Sequence, residues 1–227
     1  SWSKNIAIKK YKKQKKKFFV LNFGSNLIYK FRSSILKKKL KIYKHDVLKV
    51  VIFAVDWKRK GVDKAIKLKE KIESKGLKTV LTIVGAKNII KKDRKGLNYF
   101  DFIDKKTGNG ANLIAKIYLK NHFNLLFSKS EAYGISLIEA NSMGTPNIVY
   151  KTGGINEIVI NNRNGLTYRS NTSLDKISND VIKLFKNKKL YQKLVVSSYN
   201  EFLKKFEDKI IFNKFYNILN INNNWLE

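Results

Sequence analysis

The chain has no cysteine, one proline, one methionine, two histidines and only 17 acidic residues in 227. Without cysteine there is no disulfide, no thiolate nucleophile and no zinc site of the usual kind, which suits a reducing compartment. His45 and His122 are far apart and lack any metal-ligand spacing, so both are read as surface or helix-end residues and no metal site is expected. No apolar run approaches the roughly 18 residues that cross a bilayer. The apolar run Phe18 to Phe23 is too short for a secretory signal.

Against the few acids stand 48 lysines and arginines, a formal net charge of +31. Such a charge would attract nucleic acid, anionic lipid or a phosphorylated substrate. The lysines lie on helix faces as well as in clusters, so a chain-wide compositional bias explains the charge equally well. No nucleic-acid partner is expected, because the basic runs lack interleaved aromatics or a recognition helix. An anionic membrane surface is the partner the runs Lys12 to Lys17 and Lys37 to Lys41 would suit. The length is enough for one sizeable α/β core.

The most informative stretch runs from Leu125 to Gly154. Phe123 to Phe127 reads as a short buried strand, Gly134 opens an apolar-periodic helix through Leu137, Ile138 and Ala140, and Gly144 and Pro146 stop it. A second strand, Asn147 to Tyr150, follows at once. This βαβ order places the intervening loop at the carboxyl edge of a parallel sheet, where α/β proteins bind ligands. Glu131 and Glu139 bracket Gly134, and the amides of Gly134 to Ser136 at a helix N-terminus favour an anion such as a phosphate. Glu139, one turn further on, is placed to accept hydrogen bonds from hydroxyls attached to that phosphate. The site therefore suits a sugar nucleotide. The bland alternative is that Ser136 and Glu139 form a capping box and Glu131 is a solvated loop acid.

The two glutamates with Ala132-Tyr133-Gly134 between them, Glu139-Ala140 followed by Gly144-Thr145-Pro146, Gly153 to Val159 and Asn162-Arg163-Asn164-Gly165 resemble the donor-binding domain of retaining GT-B-fold glycosyltransferases of family four. The resemblance implies that Glu131 holds donor-sugar hydroxyls, Gly134, Ile135 and Ser136 the diphosphate, and Glu139 the ribose. It also makes Lys60 the diphosphate-binding lysine. The family often carries an arginine where this chain has Val55, so Lys58 or Arg59 is the expected substitute. Ile103 to Lys105 is expected to contact the base through backbone groups, which leaves UDP, GDP and ADP undecided. The nucleoside-diphosphate sugar is a substrate; no cofactor and no metal are implied.

By the same resemblance residues 1–26, a basic helix from Ile6 to Lys16, a strand Phe18 to Leu21 and a turn, are expected to be the tail of an N-terminal acceptor domain whose bulk lies outside the chain. Residues 27–47 are read as hinge and linker, 48–200 as a Rossmann-like nucleotide-sugar-binding domain, and 201–227 as a helix crossing back to the first domain. The β-branched run Leu48 to Val55 reads as a buried strand, with a helix carrying Val62, Ala65, Ile66 and Ile72 inward. Thr79 to Val84 and Tyr99 to Ile103 read as strands, Ala111 to Lys120 as a packing helix, Thr172 to Asp175 as a helix cap, and Lys188 to Phe206 and Lys209 to Leu219 as helices. Phe202, Phe206, Phe212, Phe215 and Tyr216 are expected to be mostly core.

The sequence thus predicts an α/β, Rossmann-like parallel sheet, the C-terminal half of a GT-B glycosyltransferase. Glu131 and Lys60 are its catalytic candidates, and Arg59, Lys60, Ile103, Glu131, Gly134, Ile135, Ser136 and Glu139 its nucleotide-sugar contacts. This chain would be inactive without the acceptor domain. Its setting would be cell-surface polysaccharide synthesis in the cytoplasm, peripheral on the inner membrane face. The rival classes are a non-enzymatic basic module for anionic membrane or nucleic acid, which the paired glutamates oppose, and another GT-B sugar-nucleotide enzyme such as an epimerase.

Overall fold

β-branched and aliphatic runs bounded by glycine and polar turns form the strands of a parallel sheet whose two faces are both covered by helices. The computed structural model describes residues 2–11, 18–27, 34–43, 46–85 and 95–223. In chain order the elements are α1 (Trp2–Tyr11), α2 (Ile35–Lys41), β1 (Val47–Phe53), α3 (Trp57–Lys60), α4 (Val62–Glu73), β2 (Lys78–Val84) and β3 (Leu97–Phe100). There follow α5 (Gly108–Lys120), β4 (Phe123–Leu126), α6 (Ile135–Ser142), β5 (Asn147–Tyr150), α7 (Ile155–Ile158), β6 (Gly165–Tyr168), α8 (Leu174–Lys186), α9 (Lys188–Lys205) and α10 (Asp208–Asn223).

The sheet order is β3-β2-β1-β4-β5-β6, with every pairing parallel. Alternation along β1 divides the core: Leu48, Val50 and Ile52 pack with α4, α8 and α9, whereas Val51 packs on the other side with Ile114 and Tyr118 of α5 and Ala140 and Met143 beyond it. Both faces being buried explains why the strand reads as a nearly continuous apolar run. The chain reverses its direction of winding between β1 and β4, and that switch point opens a crevice at the carboxyl ends of the two strands.

Several elements differ from the sequence reading. The stretch read as linker contains α2, whose Ile35 and Lys39 are fully buried. Lys39 escapes an apolar-periodicity search because its ammonium is satisfied inside the protein. It donates to the Thr145 hydroxyl Oγ1 at 2.7 Å, to Tyr118 O at 2.9 Å and to Asn121 O, the two carbonyls lying at the C-terminal end of α5, where a cation is favourable. Burial holds its pKa well below the ordinary lysine value. Phe18 to Leu21 forms no strand, and Phe19 and Leu21 are exposed. The strand expected at Tyr99 to Ile103 is Leu97–Phe100.

His122, expected at the surface, is completely buried: its Nδ1 accepts from Lys49 N at 2.9 Å and its ring packs edge-on to Phe185. Burial, then the nearby Lys39, lowers its pKa to about 3, so it is a neutral core residue. His45 and the run Lys12 to Lys17 lie outside the described residues. Of the aromatic set, Phe202 and Phe206 are core, whereas Phe212, Phe215 and Tyr216 stand exposed on α10. Among the described residues, no helix is long and apolar enough to cross a membrane.

Candidate functional site

The crevice is built by two loops that hydrogen-bond to each other. Asp56 caps the short α3 by accepting from Arg59 N, and Gly61 ends it in the left-handed conformation, φ 77°. A Cβ on Gly61 would lie 2.6 Å from Phe127 O, so only glycine lets α3 close onto the end of β4. Phe127 N then donates to Lys60 O at 3.2 Å and Lys129 N to Arg59 O at 3.2 Å. These bonds carry Lys60 to Glu131: Lys60 Nζ pairs with Glu131 Oε2, Arg59 Nη1 lies 3.7 Å from the same oxygen, and Ser128 Oγ donates to it at 3.4 Å.

The Glu131 loop is supported from beneath by Gly153 and Gly154. A Cβ at Gly153 would fall 2.0 Å from Glu131 O, and one at Gly154 2.8 Å from Ala132 O. The Gly-Gly pair thus acts by close approach rather than by any side chain. The Asn-Arg-Asn-Gly stretch is likewise structural: Asn164 is buried, accepts from Ile160 N and donates to Ile158 O, both at 2.7 Å, and so ties the turn before β6. At the other end of the loop the Tyr133 hydroxyl accepts from Phe23 N at 2.8 Å and donates to Phe23 O at 3.2 Å.

Gly134 is the N-cap of α6, left-handed with φ 86°, so Ile135 and Ser136 are its first two helical residues. The capping-box alternative is not formed: Ser136 lies inside the helix, and the Glu139 carboxylate bonds Lys105 instead, Nζ to Oε1, at 2.5 Å. A cavity of about 440 Å³ is lined by Asp56, Arg59 and Lys60, by Ile103 and Lys105, and by Glu131 to Ser136. Phe53, Val84, Phe102 and Ile114 add an apolar wall. The cavity brings together every sequence-predicted site residue except Lys58 and Glu139, the latter fully buried and bonded to Lys105. Burial raises the Glu139 pKa, and Lys105 opposes that rise.

Of the two expected substitutes for the missing arginine, Arg59 lines the cavity, while Lys58 lines a separate one with Trp57, Asp63 and Phe127. The residue sequence reasoning missed is the Lys105 side chain. A lone lysine after a strand in a lysine-rich chain carries no signal.

The cavity gathers a helix N-terminus, the cations Arg59, Lys60 and Lys105 and the Glu131 carboxylate at the switch point of a parallel sheet, groups whose chemistry suits an anionic ligand. The family described as Glycosyl transferases group 1 matches residues 32–201, well over half of the chain. The chain belongs to that family. The uncharacterized glycosyltransferase MJ1178 of Methanocaldococcus jannaschii is 28% identical over 113 residues, 50% of this chain and 31% of its own. The sucrose-phosphate synthase of Thermosynechococcus elongatus superposes with a TM-score of 0.69 at 17% identity, covering 96% of this chain and 57% of that one. Anabaena Alr3699/HepE, in complex with UDP-glucose, superposes with a TM-score of 0.66 at 15% identity over 95% of this chain and 60% of its own. These superpositions establish a fold shared with GT-B glycosyltransferases, of which this family member spans less than two thirds.

Proposed function

We propose that this chain is the donor-binding half of a retaining glycosyltransferase that moves a sugar from a nucleoside diphosphate to an acceptor hydroxyl. The observation that carries the reading is the meeting of Lys60, Arg59 and Glu131 with the N-terminus of α6 in one cavity. When the bond from the anomeric carbon to the diphosphate oxygen breaks, negative charge develops on the leaving diphosphate. Lys60, Arg59 and the first amides of α6 stabilise that charge without waiting for solvent to reorganise. Glu131 then has two duties: it orients Lys60 and offers an acceptor to the donor sugar's hydroxyls. The UDP-glucose bound by the Anabaena protein of the same fold supports a nucleotide-sugar donor.

The acceptor would be held by a further domain, so this half binds donor but turns over poorly, because much of the catalysis comes from positioning two substrates together. Attachment to an anionic inner membrane surface through the basic runs fits a lipid-linked acceptor and a role in cell-surface polysaccharide synthesis. A calorimetric panel of UDP, GDP and ADP, with and without attached sugars, tests the reading. One nucleotide series should bind at one site per chain, and binding of none would refute it.

A further inference from the structure

The loop that carries Glu131 is held at both ends. Toward β4 it is tied by the Lys60 pair and by Thr152, whose hydroxyl donates to Ser128 O at 3.3 Å. Toward α6 it ends on Gly134, the left-handed N-cap, whose carbonyl accepts from Leu137 N at 2.9 Å. Between these ends stands Tyr133. It lines the switch-point cavity on one side and, with Ala132, a second cavity of about 350 Å³ on the other. That second cavity is walled mainly by residues 18–23 and by Ser3, Lys4 and Ala7 of α1.

Residues 18–27 belong to no helix or strand. Side chains and water, not a ladder, must therefore satisfy their backbone. Phe23 finds both partners in one hydroxyl: Tyr133 Oη accepts from Phe23 N at 2.8 Å and donates to Phe23 O at 3.2 Å. A tyrosine hydroxyl carries one proton and an acceptor oxygen, so it can do both at once. Burial raises the Tyr133 pKa, which keeps the donated proton in place. The two rings meet edge to face with centroids 5.2 Å apart. On its far side the segment rests on the junction of α9 and α10: Asn22 Nδ2 donates to Lys205 O at 3.4 Å, and a Cβ on Gly24 would lie 2.8 Å from Asp208 Oδ1 and 3.3 Å from Phe206 O. The segment is wedged between that junction and the loop, and the Tyr133 hydroxyl is where the loop grips it.

We propose that Tyr133 is a positioning residue of the nucleotide-sugar site, and that through it ligand binding is coupled to the order of residues 18–24. This deepens the nucleotide-sugar reading and rests on it. Tyr133 adjoins Gly134 and stands two residues from Glu131, so its ring cannot shift without moving groups that line the cavity. A loop that Phe23 already holds loses less freedom when the diphosphate arrives, and a loop held by the diphosphate grips Phe23 more firmly in return. Linkage makes the coupling reciprocal. The hydroxyl acts without touching the ligand.

Tyr133→Phe tests the coupling, because it deletes the hydroxyl and keeps the ring and its packing. Calorimetry with UDP, GDP and ADP is paired with amide hydrogen exchange over residues 18–24 in the free and the nucleotide-saturated chain. For the nucleotide that binds, saturation should slow exchange at Phe23 in the wild type. Tyr133→Phe should bind that nucleotide about three- to tenfold more weakly, as loss of one or two hydrogen bonds would give, and should show no such slowing. A hydroxyl with a purely structural role would lower the melting temperature of the variant and leave affinity and slowing as in the wild type, which overturns the inference. Weaker binding with the slowing retained would mean that the hydroxyl touches the ligand itself, and overturns it equally. Failure of UDP, GDP and ADP alike to bind the wild type would sink the functional reading and this inference together, whereas binding without any slowing at residues 18–24 sinks the inference alone.

Discussion

Lys60 Nζ and Glu131 Oε2 form an ion pair between residues 71 positions apart. Side-chain exposures of 16% and 11% make the pair largely buried, and such pairs contribute little net stability because desolvation offsets attraction. Their arrangement therefore fits the proposed diphosphate site better than a role in stability. Lys60→Ala should weaken nucleoside-diphosphate binding by about ten- to a hundredfold, roughly 1.4–3 kcal/mol. Glu131→Gln should leave the diphosphate affinity nearly intact and abolish any gain from an attached sugar. Calorimetry on both variants checks the pair; equal losses for nucleotide and nucleotide sugar in Glu131→Gln would deny that glutamate a sugar contact.

Gly153 supports the Glu131 loop by absence of a side chain. Gly153→Ala must move Glu131 O, since the new Cβ would sit 2.0 Å from it on a backbone with φ 53°. Gly76→Ala shares the positive φ, 82°, but meets nothing within 4 Å. Gly76→Ala should cost about 1 kcal/mol of backbone strain, with donor binding unchanged. Gly153→Ala should cost more and weaken nucleotide-sugar binding as well. Thermal melts paired with titrations separate the two, and equal effects on binding would show that the loop does not rest on Gly153.

His122 makes stability depend on pH with a definite sign. Its folded pKa of about 3 lies below the ordinary 6.5. The unfolded chain therefore binds the extra proton between those values, and stability falls as pH drops from about 6.5 toward 3. The full effect could reach about 5 kcal/mol at the acid end. Denaturant titrations across that window should show the loss in wild type and a shallower one in His122→Asn, which keeps an acceptor for Lys49 N. Parallel curves would mean that His122 is hydrated in solution.

Polybasic attraction to anionic lipid amounts to roughly 1 kcal/mol per lysine near the surface. If the basic runs dock the protein, Gln at Lys12, Lys13, Lys15, Lys16, Lys17 and Lys37 should abolish co-sedimentation with anionic vesicles at physiological salt. Gln at Lys67, Lys71, Lys183, Lys186, Lys188 and Lys189 should matter little. Equal losses would show that only total charge counts. Lys39 is left out of the first set because it is buried and contributes nothing to a surface.

The legible parts of this protein were those where periodicity and turn chemistry agree. Gly134, followed by apolar residues at helical spacing, announced α6, and the β-branched run at 48–55 announced β1. Lys60 and Glu131 were legible as residues but not as a pair, because the bonds joining them, Phe127 N to Lys60 O and Lys129 N to Arg59 O, are made by backbone. What stayed hidden were polar side chains used as core. Lys39, His122 and Glu139 are each completely buried, and each is accommodated by one or more specific partners that no local pattern records. In a chain with this many lysines, one that turns inward looks like its neighbours.

On the proposed function, the cleft between the ends of β1 and β4 holds a nucleoside diphosphate. A crystal structure of the chain with whichever of UDP, GDP or ADP binds tests it most directly. The diphosphate should lie between the Lys60 ammonium and the amides of Ile135 and Ser136, with the base against Phe102 and Ile103. A nucleotide bound elsewhere, for instance in the separate basic cavity lined by Arg163, Lys193 and Lys204, with the switch-point cleft left to solvent, would overturn that placement.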